Sequence, residues 1–162
     1  MVLGSHAWRR ILFVVALALL ATGCGAIRFQ RAWSSYEPSN YEPTSHAPGT
    51  GAGMPGRWKG EWRSEWNGHS GGLRGLMTRV DDGHTRARFF STYASLLFFT
   101  HETVFHVVGE QDGVLHFEGE QDLGQAFGGV YRYAGTVVGD SFRANFTAEN
   151  GDHGVFEMQR VD

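Results

Sequence analysis

The chain of 162 residues holds one cysteine, Cys24, so no disulfide can form within it and no cysteine cluster can bind a metal. Its fold must be held by its core alone. The four prolines fall at Pro38, Pro43, Pro48 and Pro55, and none follows from Gly56 to Asp162. That absence suits unbroken hydrogen-bonded ladders, because a proline removes a ladder donor. No uncharged apolar run reaches the ~20 residues that a spanning helix needs. A basic excess is missing too, with 14 Lys and Arg against 17 Asp and Glu. Nucleic acid is therefore not an expected partner, since phosphate contacts need a basic footprint. There is no Gly-x-Ser-x-Gly elbow, and Gly71-Gly72 and Gly128-Gly129 read as hairpin glycines rather than phosphate cradles. No catalytic residue is assigned and the chain is not read as an enzyme.

What is present begins with a segmented N-terminus. Arg9 and Arg10 give a positive flank, Ile11 to Leu20 is apolar and uncharged, and Ala21, Thr22 and Gly23 are small. This is the order of a secretory signal. The run Leu20-Ala21-Thr22-Gly23-Cys24 resembles the lipobox of bacterial lipoproteins. The resemblance implies that residues 1–23 are a signal peptide cleaved before Cys24. It also implies a thioether lipid on the Cys24 sulfur and an acyl group, such as palmitate, on its new amine. Two or three acyl chains make anchoring stable where one is marginal. A lipidated Cys24 would also explain an otherwise unusual lone thiol in a secreted chain. The other readings are an ordinary signal with a chance cysteine, or a short membrane anchor. Gly25, not aspartate, follows the cysteine. By resemblance this favours the outer over the inner membrane of a Gram-negative envelope.

Residues 24–55 are rich in Ser, Pro, Gly and Thr, with the near-repeat Ser35-Tyr36-Glu37-Pro38-Ser39 and Asn40-Tyr41-Glu42-Pro43-Thr44. Such a segment cannot bury enough apolar surface to offset its ordering entropy. It is expected to be a flexible, disordered tether, or alternatively to present its tyrosines to a partner.

From Gly56 to Asp162, β-prone segments alternate with turn clusters. Strands are expected at Arg57 to Trp66, Gly72 to Val80, Thr85 to Tyr93 and Phe98 to Val108. Four more are expected at Val114 to Gln121, Gly129 to Val138, Ser141 to Ala148 and Val155 to Val161. Side chains alternate cleanly. Trp58, Gly60, Trp62 and Ser64 share one face of the first strand, opposite Arg57, Lys59, Glu61 and Arg63. Phe142, Ala144 and Phe146 oppose Ser141, Arg143 and Asn145. The pattern predicts an all-β domain: an antiparallel up-and-down barrel of about eight strands, or a β-sandwich. It would be preceded by the signal helix and the tether. Glycines inside strands, at Gly60, Gly75, Gly119 and Gly135, leave room for neighbouring rings and let strands coil.

Gly56-Arg57-Trp58 on the first strand and Arg160 on the last resemble the barrel ends of the calycin group, which includes lipocalins, fatty-acid-binding proteins and avidins. The resemblance implies a closed barrel in which Arg160 lies across Trp58 as a cation–π pair. A Thr-Asp-Tyr signature and a helical tail after the last strand are missing, so the resemblance carries the architecture and not the ligand.

Phe89, Phe90, Tyr93, Leu96, Leu97, Phe98 and Phe99 cannot all point inward from one strand. They form either an apolar lip at an open mouth or a connection folded over the barrel end. Candidate ligand-binding residues are Trp62, Tyr93, Phe98, Tyr131 and Tyr133. The histidines suggest no metal site: His101 and His106 are five apart and face opposite ways, and His116, Glu118 and Glu120 share a face opposite Leu115 and Phe117 that reads as solvated. No cofactor is expected. Removal of Arg9 and Arg10 leaves twelve basic and seventeen acidic residues, a net charge of −5. The excess is uneven, with Arg57, Lys59, Arg63, Arg74, Arg86 and Arg88 on one flank. That flank would be an ordinary solvated face or one turned to anionic lipid or polysaccharide.

Two functional classes follow: a membrane-anchored monomeric barrel holding a small hydrophobic or aromatic ligand, and a structural lipoprotein with a side-chain-filled barrel. Cys24→Ser is expected to release the protein from membranes and to abolish labelling by radioactive palmitate. Unchanged labelling would refute the anchor.

Overall fold

The alternation of apolar and polar residues becomes a closed antiparallel barrel in a computed structural model that describes residues 24–37, 53–94 and 97–161. Among these, eight strands follow one another around the wall: β1 (Gly56–Ser64), β2 (Ser70–Asp81), β3 (His84–Tyr93), β4 (Leu97–Gln111), β5 (Val114–Asp122), β6 (Val130–Val138), β7 (Ser141–Ala148) and β8 (His153–Arg160). Each pairs with its sequence neighbours, and β1 pairs with β8 from Trp58↔Arg160 to Ser64↔Gly154. That last pairing closes the sheet and excludes a sandwich. The signal segment, residues 1–23, and residues 38–52 of the expected tether lie outside the described residues.

Period-two alternation sends one residue in two inward. The inward set fills the lower half of the barrel with rings. Phe117 meets Phe105 at 4.6 Å in a tilted pair and stacks on Phe142 at 4.9 Å, and Trp58 meets Phe142 at 5.9 Å. Met77, Leu73 and Met158 pack around them. Glycines make this possible: a Cβ on Gly119 would stand 2.7 Å from the Phe105 ring, and one on Gly135 2.7 Å from the Phe117 ring.

The closed end is sealed by Arg160. Its guanidinium carbon lies 4.4 Å from the Trp58 ring centroid, the geometry of a cation–π pair. The same guanidinium donates to the carbonyls of Pro55 and Gly53 and to Asp140 Oδ1. Trp58 Nε1 donates to the Met54 carbonyl at 3.0 Å, and Met54 is fully buried beneath it. One side chain thus ties the segment before β1, the β6–β7 turn and the β1–β8 seam.

The first part of the expected tether is not a tether. Residues 24–34 form a helix, α1, lying on the outer wall. Eleven residues alone make a marginal helix in water, so packing must hold this one. Phe29 and Trp33, four residues apart, share a face and stack at 5.6 Å. Phe29 is buried and meets Phe90 of β3 at 5.5 Å. The Arg74 guanidinium sits among Phe29, Trp33 and Phe90 at 5.4, 5.6 and 4.6 Å. Arg57 contacts Trp33 and Tyr36, both at 5.9 Å.

The helix also covers part of the basic flank, while Lys59 and Arg63 stay exposed as on an ordinary solvated face. Arg57 and Arg74 lie under aromatic rings, and Arg86 and Arg88 both pair with Glu102, at 3.0 and 2.7 Å.

Arg160→Ala removes a partly buried cation–π contact and several charged hydrogen bonds at once. It is expected to cost about 2–4 kcal/mol in urea denaturation. Arg160→Lys should recover less than half, because an ammonium cannot fork between three acceptors.

Candidate functional site

The rings that fill the lower barrel stop short of the other end. Phe89, fully buried, meets Phe156 at 5.4 Å, and Phe156 meets Tyr133 at 5.8 Å and Phe146 at 5.3 Å. These rings form a floor. Above it lies a cavity of about 280 Å³, open at the end formed by the β1–β2, β3–β4, β5–β6 and β7–β8 connections. Its size is at the lower edge of small-ligand sites, which run ~300–1,000 Å³.

Trp62, Tyr93, Phe98, Tyr131 and Tyr133 all border this cavity. Their positions differ. Trp62, Tyr93, Tyr131 and Tyr133 fall on the inward parity of β1, β3 and β6. Phe98 falls on the outward parity of β4, stacks on Phe90 at 5.5 Å, and reaches the cavity only at its rim. Leu97, Phe99 and Phe127 complete the rim, Phe127 from a 3-10 turn at Gln125–Phe127. Tyr93, Leu97, Phe98 and Phe99 thus border an open mouth as a lip, while Leu96 lies outside the described residues.

The walls are pinned by hydrogen bonds. Trp62 Nε1 donates to the Thr92 carbonyl at 2.9 Å, across to β3. The Tyr93 hydroxyl lies 3.2 Å from His69 Nε2 in the β1–β2 turn. Asp152 accepts a 2.6 Å hydrogen bond from the buried Ser64 hydroxyl. These bonds keep the rings against the wall instead of letting them collapse into the space.

His101, with Leu123 and Phe127 at the rim, is a cavity residue that sequence reasoning missed. It lies on the inward face of β4, between Phe89 at 5.0 Å and Phe99 at 5.7 Å. Parity had separated it from His106, which is exposed on the outer wall. Yet only the register places it among these rings: Phe89↔His101 in the β3–β4 pair. Burial pulls its pKa down to about 4, so the imidazole is neutral at pH 7. Its Nε2 is 3.5 Å from the Tyr133 hydroxyl, and its Nδ1 is buried with no partner among the described residues. Burial raises the Tyr133 pKa far above the ordinary phenol value, reinforced by Tyr131. Tyr131 is raised by burial and then by the Asp152 carboxylate. The cavity thus offers apolar rings, the phenols of Tyr93, Tyr131 and Tyr133, one neutral imidazole and the Asp152 carboxylate held by Ser64. Among the described residues no three His, Cys, Asp or Glu side chains come together as a metal site; Glu120 points outward and pairs with Arg132 at 3.0 Å.

No protein-family model matches the chain, and no curated protein matches it significantly. Solved structures do. A de novo designed fluorescence-activating β-barrel aligns over 70% of this chain and 98% of its own, with a TM-score of 0.51 and 19% identity. A redesigned β-barrel, mFAP1, bound to DFHBI, aligns over 69% and 99%, with a TM-score of 0.52 and 16% identity. At these identities the likeness is one of fold: a small closed β-barrel.

His101 has a consequence for stability. The native imidazole stays neutral down to about pH 4, while the unfolded chain takes up its proton at the ordinary value of 6.5. Its contribution is intact above pH 6.5 and is lost as pH falls toward 4. One edge of the ring faces the cavity, so about 2 kcal/mol is expected between pH 7 and pH 4.5. Urea denaturation of the wild type and of His101→Phe should differ by that much in pH dependence. Parallel profiles would refute the assignment.

Proposed function

We propose that this protein is a lipid-anchored barrel of a bacterial cell envelope that binds a small apolar or aromatic ligand in its open end. The observation that carries the binding half is the cavity: about 280 Å³, ring-lined and open at one end, with the neutral His101 imidazole and the Tyr131 and Tyr133 hydroxyls on its wall. Small-ligand sites combine mostly apolar walls with a few polar groups that fix orientation. Here the Tyr131 and Tyr133 hydroxyls and the partnerless His101 Nδ1 would serve. The volume suits a ligand of one or two fused rings with a hydrogen-bonding substituent. The same architecture in mFAP1 was solved bound to DFHBI, which supports such a barrel as a holder of small molecules.

The anchored half rests on the lipobox-like run ending at Cys24, which is exposed at the start of α1. A binding role fits the site better than catalysis. Two phenols held far above neutral pH and an imidazole held at about 4 supply neither a strong base nor an activated nucleophile.

Native mass spectrometry of the full chain, taken gently from producing cells in detergent, tests the reading. An extra mass that leaves on denaturation is expected, and Trp62→Ala with Tyr131→Ala should abolish it. A bare wild type that also fails to take up apolar aromatic dyes would move the protein to a structural role with an empty barrel mouth.

A further inference from the structure

The start of α1, where Cys24 stands, and the cavity mouth lie at the same end of the barrel. α1 begins at the open end: a Cβ on Gly25 would stand 2.6 Å from Thr100 Oγ1, three residues from Leu97 at the rim. It ends toward the closed end, where Trp33 and Tyr36 meet Arg57 at the start of β1. At ~3.4 Å per strand residue, the rim stands about 10 Å beyond Thr100. Cys24 precedes Gly25, so it sits on the rim side of that contact. The apolar stretch Ile11 to Leu20 joins the chain just before it. Acyl chains on Cys24 or a retained apolar segment would therefore enter the bilayer beside the mouth.

The rim at that place is apolar and, among the described residues, exposed. Leu97 is 64% and Phe127 60% exposed, and Phe98 and Phe99 are exposed beside them. Phe99 and Phe127 touch at 5.4 Å, joining the β3–β4 lip to the 3-10 turn. Phe98 continues through Phe90 to Phe29 at 5.5 Å steps, so the patch runs unbroken to α1. Ile27, one turn from Cys24, is also exposed. Of the acidic groups at this end, Glu65 lies across the mouth in the β1–β2 turn and Asp152 accepts from the Ser64 hydroxyl at 2.6 Å, while Glu149 lies beside the 3-10 turn, where its carboxylate accepts from the Val130 amide at 3.2 Å. Asp122, on the apolar side, is engaged by the Gly124 amide at 2.7 Å. Apolar side chains beside the residue read as lipidated, with the nearby Asp122 and Glu149 carboxylates each taken up by a backbone amide, fit the headgroup–acyl boundary of a bilayer.

We propose that Leu97, Phe98, Phe99 and Phe127 dock the open end of the barrel on the bilayer, so that the cavity opens toward lipid and takes its ligand from it. This rests on the anchored reading above. Contact would be apolar rather than electrostatic, so neutral phosphatidylcholine should suffice.

The test uses the full lipidated chain in phosphatidylcholine vesicles carrying a spin label high on the acyl chain. Phe98→Cys, Phe127→Cys and, at the closed end, Val138→Cys are each labelled with an environment-sensitive dye. On the anchored reading the Cys24 sulfur is occupied, so each variant offers one thiol. Vesicle flotation is read alongside. Flotation with about half the dye emission lost at positions 98 and 127 and none at 138 is expected, because interfacial side chains lie ~5–10 Å deep. Flotation with equal, weak quenching at all three positions overturns the docking and leaves the anchor standing. Failure to float overturns both.

Discussion

An eight-stranded barrel encloses little more space than its own side chains can fill, and everything of interest here follows from where the filling stops. From the closed end upward the rings of Trp58, Phe142, Phe117 and Phe105 take the whole cross-section. They fit because Gly119 and Gly135 withdraw their side chains from the wall at the points of closest approach. Phe89, Phe156 and Tyr133 close the layer. Above it the strands still bear rings, but Trp62 is hydrogen-bonded over Gly71 to β3, two strands along the wall, and Tyr93 to the β1–β2 turn. A ring held by its polar edge cannot swing inward to remove the void. The cavity is thus maintained by polar contacts on the wall, whereas the core below is maintained by packing.

The barrel was legible because period-two patterning leaves few alternatives. The alternation through β1, β5, β7 and β8 sorted core from surface residue by residue, and every expected strand has a counterpart shifted by a few residues at its ends. Trp58 and Arg160 stand opposite each other for a topological reason: closure makes first and last strands neighbours, and the β1–β8 register then sets them side by side. Trp62, Tyr131 and Tyr133 were legible as inward aromatics near strand ends.

What was not legible depends on register or on a partner surface. Phe98 reads from composition as a mouth residue, but strand parity turns it outward to the rim. His101 looks like any strand histidine until the β3–β4 pairing sets it against Phe89. The helix over residues 24–34 was hidden by the Pro- and Ser-rich chain that follows it. Its one local signal was Phe29 and Trp33 at helical spacing amid Arg and Gln. That pair stabilises a helix only when a surface such as Phe90 and Arg74 receives it. Composition judged the segment by its own burial, and the burial was supplied by the barrel.

That helix changes what an attachment at Cys24 can do. A coil over residues 24–55 would span about 30 Å on average and leave the barrel free to tumble above a membrane. With α1 packed along the wall, the slack between Cys24 and the barrel vanishes. A point attachment becomes an orientational one, because the helix fixes which end of the barrel lies beside it. An apolar ligand dilute in water but concentrated in lipid reaches such a cavity without crossing the aqueous phase. In the proposed orientation, the exposed rim that would burden a protein in solution would be the surface over which the ligand passes.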